Sequence, residues 1–487
     1  MSPAVFELER LAPSARALLR AVQSAAGRSR SPMLVGGAVR DARLAPARAA
    51  GPADLDVAVE SGALDLAARV AARLGGAFVP LDPERGAARV LARGTCLDVT
   101  DWRAPTLEAD LAARDFTVNA LAVPVRELLS RGRAAIIDPT GGLADLRARR
   151  LRVHDPRVLT EDPLRTLRGV RLEAALGFRL TAKSARAIRS AAPGLAGVAA
   201  ERVRDELLAL LALPRAALAL RRLDALGLLR VIVPEVDAMR GSTQPAPHRF
   251  PVLEHSLRAV AGADALLERL RELRPFGDEL AAHAAEELGG GVRRAQILKL
   301  AALLHDVSKP ETRRLIEGRI RFFEHDVRGA ARARDIAERL RLPGRARGVL
   351  EKLVRHHLRP GHLAASGGVT PRARYRFYRD LGEETRDLLL LTLVDAAAVT
   401  GVSPRAVWRR ATVVRDLLEG WEETPRAGAA AAPLVRGDDV MAHFGIPPGP
   451  EVGRLLERAR EAQSLGLVAT REQALAYLDS PASEPLE

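Results

Sequence analysis

Cysteine is nearly absent. The chain of 487 residues has one, Cys96, which excludes a disulfide framework and a cysteine-based zinc site. Aromatic residues make up 3%, too few for nucleic-acid recognition that rests chiefly on base stacking. Lysine is scarce as well, occurring only at Lys183, Lys299, Lys309 and Lys352. No apolar run reaches the ~18–20 residues of a membrane span. The longest candidate, over 388–402, carries Asp395. Glu7 and Glu9 stand where an export signal would be apolar. The expectation is a cytoplasmic protein with no membrane partner, and no protein partner can be inferred.

A hydrophobic content of 47% excludes disorder as the main state. At ~100–200 residues per domain, three or four domains are expected. Basic residues number 75 against 61 acidic ones, a net charge of +14. An excess of that size points to a polyanionic partner, nucleic acid first. The pattern predicts one amphipathic helix over the first ~25 residues. A mixed α/β stretch follows, with strands at 33–35, 55–59, 78–81, 88–91 and 96–100, a helix at 64–74 and a hairpin turn at 83–86. Beyond 141 nearly everything has helical period, with helices expected at 160–176, 182–192, 200–213 and 216–227. The Pro-, Ser- and Thr-rich stretch 241–251 suggests a domain boundary, and the Ala-, Gly- and Pro-rich stretch 424–433 a linker.

Two constellations carry chemistry. The first opens with Leu34-Val35-Gly36-Gly37-Ala38-Val39-Arg40-Asp41, a strand, a glycine turn and a helix start. Glycines let the backbone approach a phosphate, and a helix N-terminus offers it free N–H groups. Arg40 can add a charged contact. In Asp54-Leu55-Asp56-Val57 the two carboxylates fall on one strand face. Mutual repulsion there favours a cation between them, and Mg²⁺ prefers oxygen ligands shared with substrate phosphates. Asp98 offers a third carboxylate from a neighbouring strand. Next come Arg114-Asp115-Phe116-Thr117-Val118-Asn119-Ala120-Leu121, polar groups in an apolar stretch that need partners. Last is Thr160-Glu161-Asp162-Pro163-Leu164-Arg165-Thr166-Leu167-Arg168-Gly169-Val170-Arg171, where Thr160 reads as an N-cap and Asp162 and Arg165 as helix-face neighbours.

These four motifs, in this order over 31–236, resemble the bacterial class II tRNA nucleotidyltransferases, the CCA-adding enzymes and related poly(A) polymerases. The resemblance implies an α+β chain: a polymerase-β-like head, then a mostly α-helical neck and body. It implies that Gly36, Gly37 and Arg40 meet the nucleotide phosphates and that Asp54 and Asp56 hold Mg²⁺, with Asp98 a third catalytic carboxylate. Arg114 falls at the triphosphate position. Asp162 and Arg165 fall where the incoming base is read, with Arg168 and Arg171 beside them. Ala113 stands where the family usually has a second arginine. The implied partners are CTP, ATP and the tRNA 3′ end with its acceptor region. A carboxylate accepts from the exocyclic amine shared by cytosine and adenine, whereas uracil and guanine present a carbonyl, so side chains can replace a template.

The second constellation is Leu303-Leu304-His305-Asp306 at the end of an apolar run, with His255, His325, His356, His357 and Asp395 around it. Eight of the ten histidines lie between His248 and His362. The set resembles the HD phosphohydrolase superfamily over 248–399. That resemblance implies an all-α domain in which His255, His305, Asp306 and Asp395 bind a divalent transition metal. His325 and one of His356 and His357 sit where two-metal members carry extra ligands, with His356 taken first. The expected organisation is an N-terminal helix (1–30), head (31–140), neck and body (141–240), HD domain (248–400) and helical tail (401–487). The expected function is templateless 3′-CCA addition or repair, with HD phosphohydrolase activity on RNA 3′ ends. The alternatives are poly(A), C-only or A-only addition, and more distantly a signalling or protein-modifying nucleotidyltransferase.

Overall fold

Alternation decides which face of the central strand meets solvent. Leu55, Val57 and Val59 point into a large core shared with Leu18, Leu19, Val22, Leu66 and Val70. Asp54 and Asp56 therefore emerge on the opposite face. The strands are Val5–Glu7 (β1), Met33–Val35 (β2), Asp54–Val59 (β3), Ala77–Asp82 (β4), Ala87–Ala92 (β5), Thr95–Asp101 (β6), Ala122–Pro124 (β7) and Arg133–Ala135 (β8). Six form one mixed sheet in the order β4-β5-β6-β3-β2-β7. β3 and β6 run parallel, the other neighbours antiparallel. The β4–β5 turn falls at Pro83–Gly86, where Gly86 takes φ +61°.

The computed structural model describes residues 4–27, 30–44, 54–92, 94–399, 404–423 and 432–480, without the side chains of 404–408. Most of the expected linker at 424–433 lies outside them. Two compact units emerge, 1–213 with 221–232, and 214–220 with 233–487. The division passes through the helix Ala216–Ala225, upstream of the 241–251 stretch. Within the second unit the Ala217 N–H donates to Asp264 at 2.9 Å, which ties the start of that helix to Val252–Glu268.

Two local expectations for the first unit are corrected. The N-terminal segment is not one helix: β1 pairs antiparallel with β8, and the helix is Pro13–Ala26. Pro13 has no N–H and suits only a first turn, so no helix runs through it from upstream. The helix expected from Thr160 is two helices, Arg157–Glu161 and Leu164–Leu176. Asp162 breaks it at φ −138°, ψ 89°. A residue before proline avoids the α region, and Pro163 imposes that here. Thr160 thus lies inside the first helix and caps nothing. Two short strands, Arg150–Leu151 (β9) and Arg179–Leu180 (β10), pair in parallel beside these helices.

Among its described residues the second unit is helical apart from an isolated antiparallel bridge between Glu287 and Arg293 and one hairpin. Strands Arg313–Ile316 (β11) and Arg319–Phe322 (β12) form an antiparallel hairpin inside the block expected to be all-α. Its turn residues, Glu317 and Gly318, both take positive φ, 49° and 72°, as a two-residue hairpin turn requires. The last helices, Gly437–Phe444, Pro450–Ser464 and Arg471–Asp479, close on a core of their own around Val440, Val452, Ala462 and Leu478.

Candidate functional sites

In the head, the turn after β2 lies directly over the Asp56 carboxylate of β3. Gly36 sits at φ +72°, and a Cβ there would fall 2.8 Å from Asp56 Oδ2. β-pairing sets Val35 opposite Asp56 on one side and Asp98 opposite Asp56 on the other. Asp98 is committed to a two-pronged ion pair with Arg89, Nε to Oδ1 at 2.7 Å and Nη2 to Oδ2 at 2.8 Å. Asp54 and Asp56 form no ion pair among the described residues, so their oxygens can take a cation beside Asp98. Burial raises the Asp56 pKa to about 6; Arg114 opposes this, while Asp98, Asp54 and Asp115 add to it. A divalent cation relieves that repulsion, so the oxygen donors present fit Mg²⁺. Arg114 ion-pairs with Asp110 at 3.3 Å, and its buried Nε has no hydrogen-bond partner.

A Gly36→Ala protein tests the turn. Left-handed backbone costs a residue with a Cβ about 1–2 kcal/mol, and the methyl displaces Asp56. The expected result is a modest fall in Tm with a loss of about 100-fold in turnover. Unchanged turnover would show that the turn does not set the position of Asp56.

The third motif ties the turn to the neck. Arg40 donates to both Asp41 oxygens, at 2.7 and 2.9 Å, and through Nη1 to Asn119 Oδ1 at 2.6 Å. Asn119 Nδ2 donates to Asp115 Oδ1 at 3.0 Å, as does the Phe116 N–H at 2.8 Å. Asp115 Oδ2 lies 3.5 Å from Arg168 Nη1. Burial works against the Asp115 carboxylate, yet Arg168, Asn119 and the Phe116 N–H outweigh it and hold its pKa below the usual range. Arg168 and Arg171 both ion-pair with Glu206, at 3.1 and 2.6 Å. Asp162 Oδ2 accepts from Arg202 at 2.9 Å and lies 4.0 Å from Arg165 Nε. Arg165 is buried and donates through Nη1 to the Ala113 and Val158 carbonyls. Sequence reasoning singled out neither Arg89, Arg202 nor Glu206. Glu206 had a signal: it adjoins Leu207 and Leu210 on a buried helix face, where an acid needs a partner.

In the second unit, five helices bring histidines and aspartates to one buried point, the fifth being Gly344–His356, which His357 caps. His255 is on Val252–Glu268, His305 caps Arg294–Leu304, His325 opens His325–Arg339 and Asp395 is on Thr385–Ala398. His255 Nε2 lies 3.2 Å from His305 Nε2 and 3.0 Å from Asp395 Oδ1. Asp306 stands between two ligand groups. Its Oδ2 faces His305 at 3.2 Å and His255 at 3.6 Å, and its Oδ1 faces His325 at 3.5 Å and His357 at 3.6 Å. His357, not His356, completes the second group. His357 follows Leu353 on the buried face of its helix, four residues on, whereas His356 points away from it.

The Nδ1 atoms of His305, His325 and His357 contact the carbonyls of Ala302, Phe322 and Val354 at 3.0, 2.7 and 2.7 Å. Those contacts make Nδ1 the protonated nitrogen and turn Nε2 inward, as metal-binding imidazoles require. Nε2 of His325 and of His357 is buried without a hydrogen-bond partner. Both groups therefore fit divalent ions, with Asp306 between them. Burial opposes a charged His305, but Asp306 and Asp395 outweigh it and raise its pKa to about 10. Lys309 Nζ, 2.7 Å from Asp306, further favours that carboxylate.

A mixed sheet with paired carboxylates beside a glycine turn, joined to helices, defines a nucleotidyltransferase head, and the histidine–aspartate centre defines an HD domain. Family models agree: the poly A polymerase head domain matches 33–152, the probable RNA and SrmB-binding site of polymerase A 177–240, and the HD domain 252–399. The A-adding tRNA nucleotidyltransferase of Deinococcus radiodurans is 39% identical over 93% of this chain and 95% of its own. The CC-adding tRNA nucleotidyltransferase of Thermus thermophilus is 38% identical over 91% and 92%. A solved CCA-adding enzyme in complex with CTP shares the fold, at TM-score 0.63 and 18% identity over 98% of this chain and 99% of that one. The chain belongs to the tRNA nucleotidyltransferase family and is a nucleotidyltransferase.

Proposed function

We propose that the head and neck add nucleotides to the 3′-CCA end of tRNA from CTP and ATP without a template. The observation that carries this is the Asp54–Asp56 pair beneath the Gly36 turn, linked through Arg40, Asn119 and Asp115 to Arg168 of the neck. In the reaction the tRNA 3′-hydroxyl oxygen bonds to the α-phosphorus, the bond from that phosphorus to the α–β bridging oxygen breaks, pyrophosphate leaves and the hydroxyl proton passes to water. Mg²⁺ held by Asp54 and Asp56 would stabilise charge on the transferring phosphoryl group. Asp98, fixed on Arg89, keeps negative charge beside Asp56 and so strengthens its demand for a cation. Arg40 has Nε and part of each terminal nitrogen engaged, which leaves one N–H on each terminal nitrogen for phosphate. Arg114 offers its unpartnered Nε to the triphosphate.

The relatives named above divide between A-adding and CC-adding enzymes. tRNAs ending before C74, C75 and A76, each offered with one labelled NTP, separate full CCA addition from C-only or A-only addition. Runs of A would mark a poly(A) polymerase, and no incorporation on any tRNA would refute the proposal.

Asp162 supplies the acceptor for the exocyclic amine, held in place by Arg202, and Arg165 supports the same edge. In Asp162→Ala protein, kcat/KM for CTP and ATP should fall by about 100-fold relative to UTP. An equal fall for all three would show that Asp162 does not read the base.

The HD centre, on this reading, hydrolyses phosphates that block RNA 3′ ends. Water adds to a 2′,3′-cyclic phosphate and one P–O bond breaks, giving a monoester. A second water then releases orthophosphate and restores the hydroxyl. His255, His305, Asp306 and Asp395 would hold one transition-metal ion, and Asp306, His325 and His357 a second, supplying Lewis acidity to the phosphoryl group.

A further inference from the structure

The β11–β12 hairpin supplies no ligand to the HD centre, yet it is rooted there. The Phe322 carbonyl accepts from His325 Nδ1 at 2.7 Å, and the Phe322 ring packs edge-on to His325 and under the Lys309 ammonium, 5.6 Å away. From that root the ribbon projects into solvent with two unlike faces. Residues directly opposite in an antiparallel pair share a face. The register pairs Arg314 with Arg321 and Ile316 with Arg319, so one face carries three guanidinium groups. The other face carries Arg313, Leu315, Ile320 and Phe322.

Arg313, Arg314, Arg319 and Arg321 are exposed and form no ion pair among the described residues. The arginines of the next helix behave differently: Arg328, Arg332 and Arg334 reach Glu324, Glu311 and Glu338. A cluster of unneutralised arginines is an electrostatic footprint for a polyanion. Arg319 and Arg321 are spaced ~7 Å along their strand, about one nucleotide step of an extended single strand. At the base of the ribbon, Arg314, Phe323, Thr312, Glu311, Glu324 and Arg328 line a cavity of about 410 Å³. That is room for one nucleotide. Phe323 is 57% exposed and offers a ring on which a base can stack.

We propose that this ribbon docks the 3′-terminal strand of an RNA, so that the HD centre acts on RNA ends in preference to free nucleotides. The proposal rests on the hydrolytic reading of that centre and adds the surface that holds the RNA and the preference over free nucleotides. The arginines bind backbone phosphates upstream of the blocked end, Phe323 takes a base, and the terminal phosphate reaches the ligands behind Phe322.

The test uses the full chain loaded with Mn²⁺ or Ni²⁺, as wild type and as Arg319→Ser/Arg321→Ser, two arginines that do not line the nucleotide-sized cavity, matched in metal content and melting temperature. Substrates are a 12-mer RNA ending in 2′,3′-cyclic phosphate and 2′,3′-cAMP. In the variant the KM for the RNA should rise at least ~10-fold, and the slope of log KM against log salt should fall by about 1.4. Hydrolysis of 2′,3′-cAMP should stay within about twofold, since a mononucleotide has no upstream phosphate to lose. Equal losses on both substrates, or no loss on either, would overturn the docking role. If the wild type hydrolyses neither substrate, the hydrolytic reading fails, and photo-crosslinking of a 3′-phosphorylated RNA with a terminal 4-thiouridine decides docking alone. Crosslinks within 313–323 would sustain it, and their absence would overturn it.

Discussion

Asp56→Ala protein is expected to fold and to add nucleotides at least ~1000-fold more slowly than wild type, because several kcal/mol of phosphoryl charge stabilisation leave with the metal. Stability should move the other way. The Asp56 pKa is raised to about 6 in the fold, chiefly by burial, against an ordinary value of 3.8. The folded state thus favours the protonated acid. The associated stability is complete below the ordinary value and is lost as pH rises through about 6. At pH 7.5 without Mg²⁺, the alanine protein should therefore melt no lower than wild type. Mg²⁺ should raise the Tm of wild type only, and its half-saturating concentration should climb as pH falls below about 6. Wild-type turnover by a folded Asp56→Ala protein would remove Asp56 from the reaction.

His305→Ala/Asp306→Ala should lose its transition metal and all hydrolysis of cyclic and terminal phosphates, yet extend intact tRNA at the wild-type rate. His357→Ala should lower the metal content by about one ion per chain, and His356→Ala should not, since Nε2 of His357 faces Asp306 at 3.6 Å. Burial pushes the His356 pKa down to about 4, with Arg359 adding to the shift. His305, held at about 10 by Asp306 and Asp395 despite its burial, carries a proton that an incoming metal must displace. Metal loading should therefore release protons and weaken as pH falls. Equal metal loss in the two histidine variants, measured by mass spectrometry of the digested protein, would undo the two-group arrangement.

Much of this was legible in the residues. Apolar alternation locates β2 to β6, and the i, i+2 rule places Asp54 and Asp56 on one face. Ordered ligand residues located the HD centre. What escaped had two causes. Some causes lie in single residues: Pro163 extends Asp162 and splits the neck helix, Pro13 fixes where the N-terminal helix starts, and Glu317-Gly318 makes a hairpin where helix is expected. The choice between His356 and His357 was likewise present in the helical period, through Leu353. The rest is the choice of partner across elements, which local sequence does not carry, even where a buried helix face marks Glu206 as needing one. Arg89 reaches Asp98 across a strand pair, Arg202 reaches Asp162 from another helix, and Glu206 gathers Arg168 and Arg171. Motif three shows the difference well: its polar groups clearly needed partners, but only the fold reveals that Asn119 and Asp115 join Arg40 to the neck.

The most direct measurement of two metal centres serving one RNA end uses a single tRNA, truncated before C74 and prepared with either a 3′-hydroxyl or a 2′,3′-cyclic phosphate. Each form is incubated with Mg²⁺, Ni²⁺ and labelled CTP or ATP, and with wild-type, Asp56→Ala or His305→Ala/Asp306→Ala protein. The expected result is that wild type extends both forms, the His305/Asp306 variant extends only the hydroxyl form, and Asp56→Ala clears the cyclic phosphate but extends neither. Extension of the cyclic-phosphate form by the His305/Asp306 variant, or its persistence with wild type, would contradict the division of labour between the two centres.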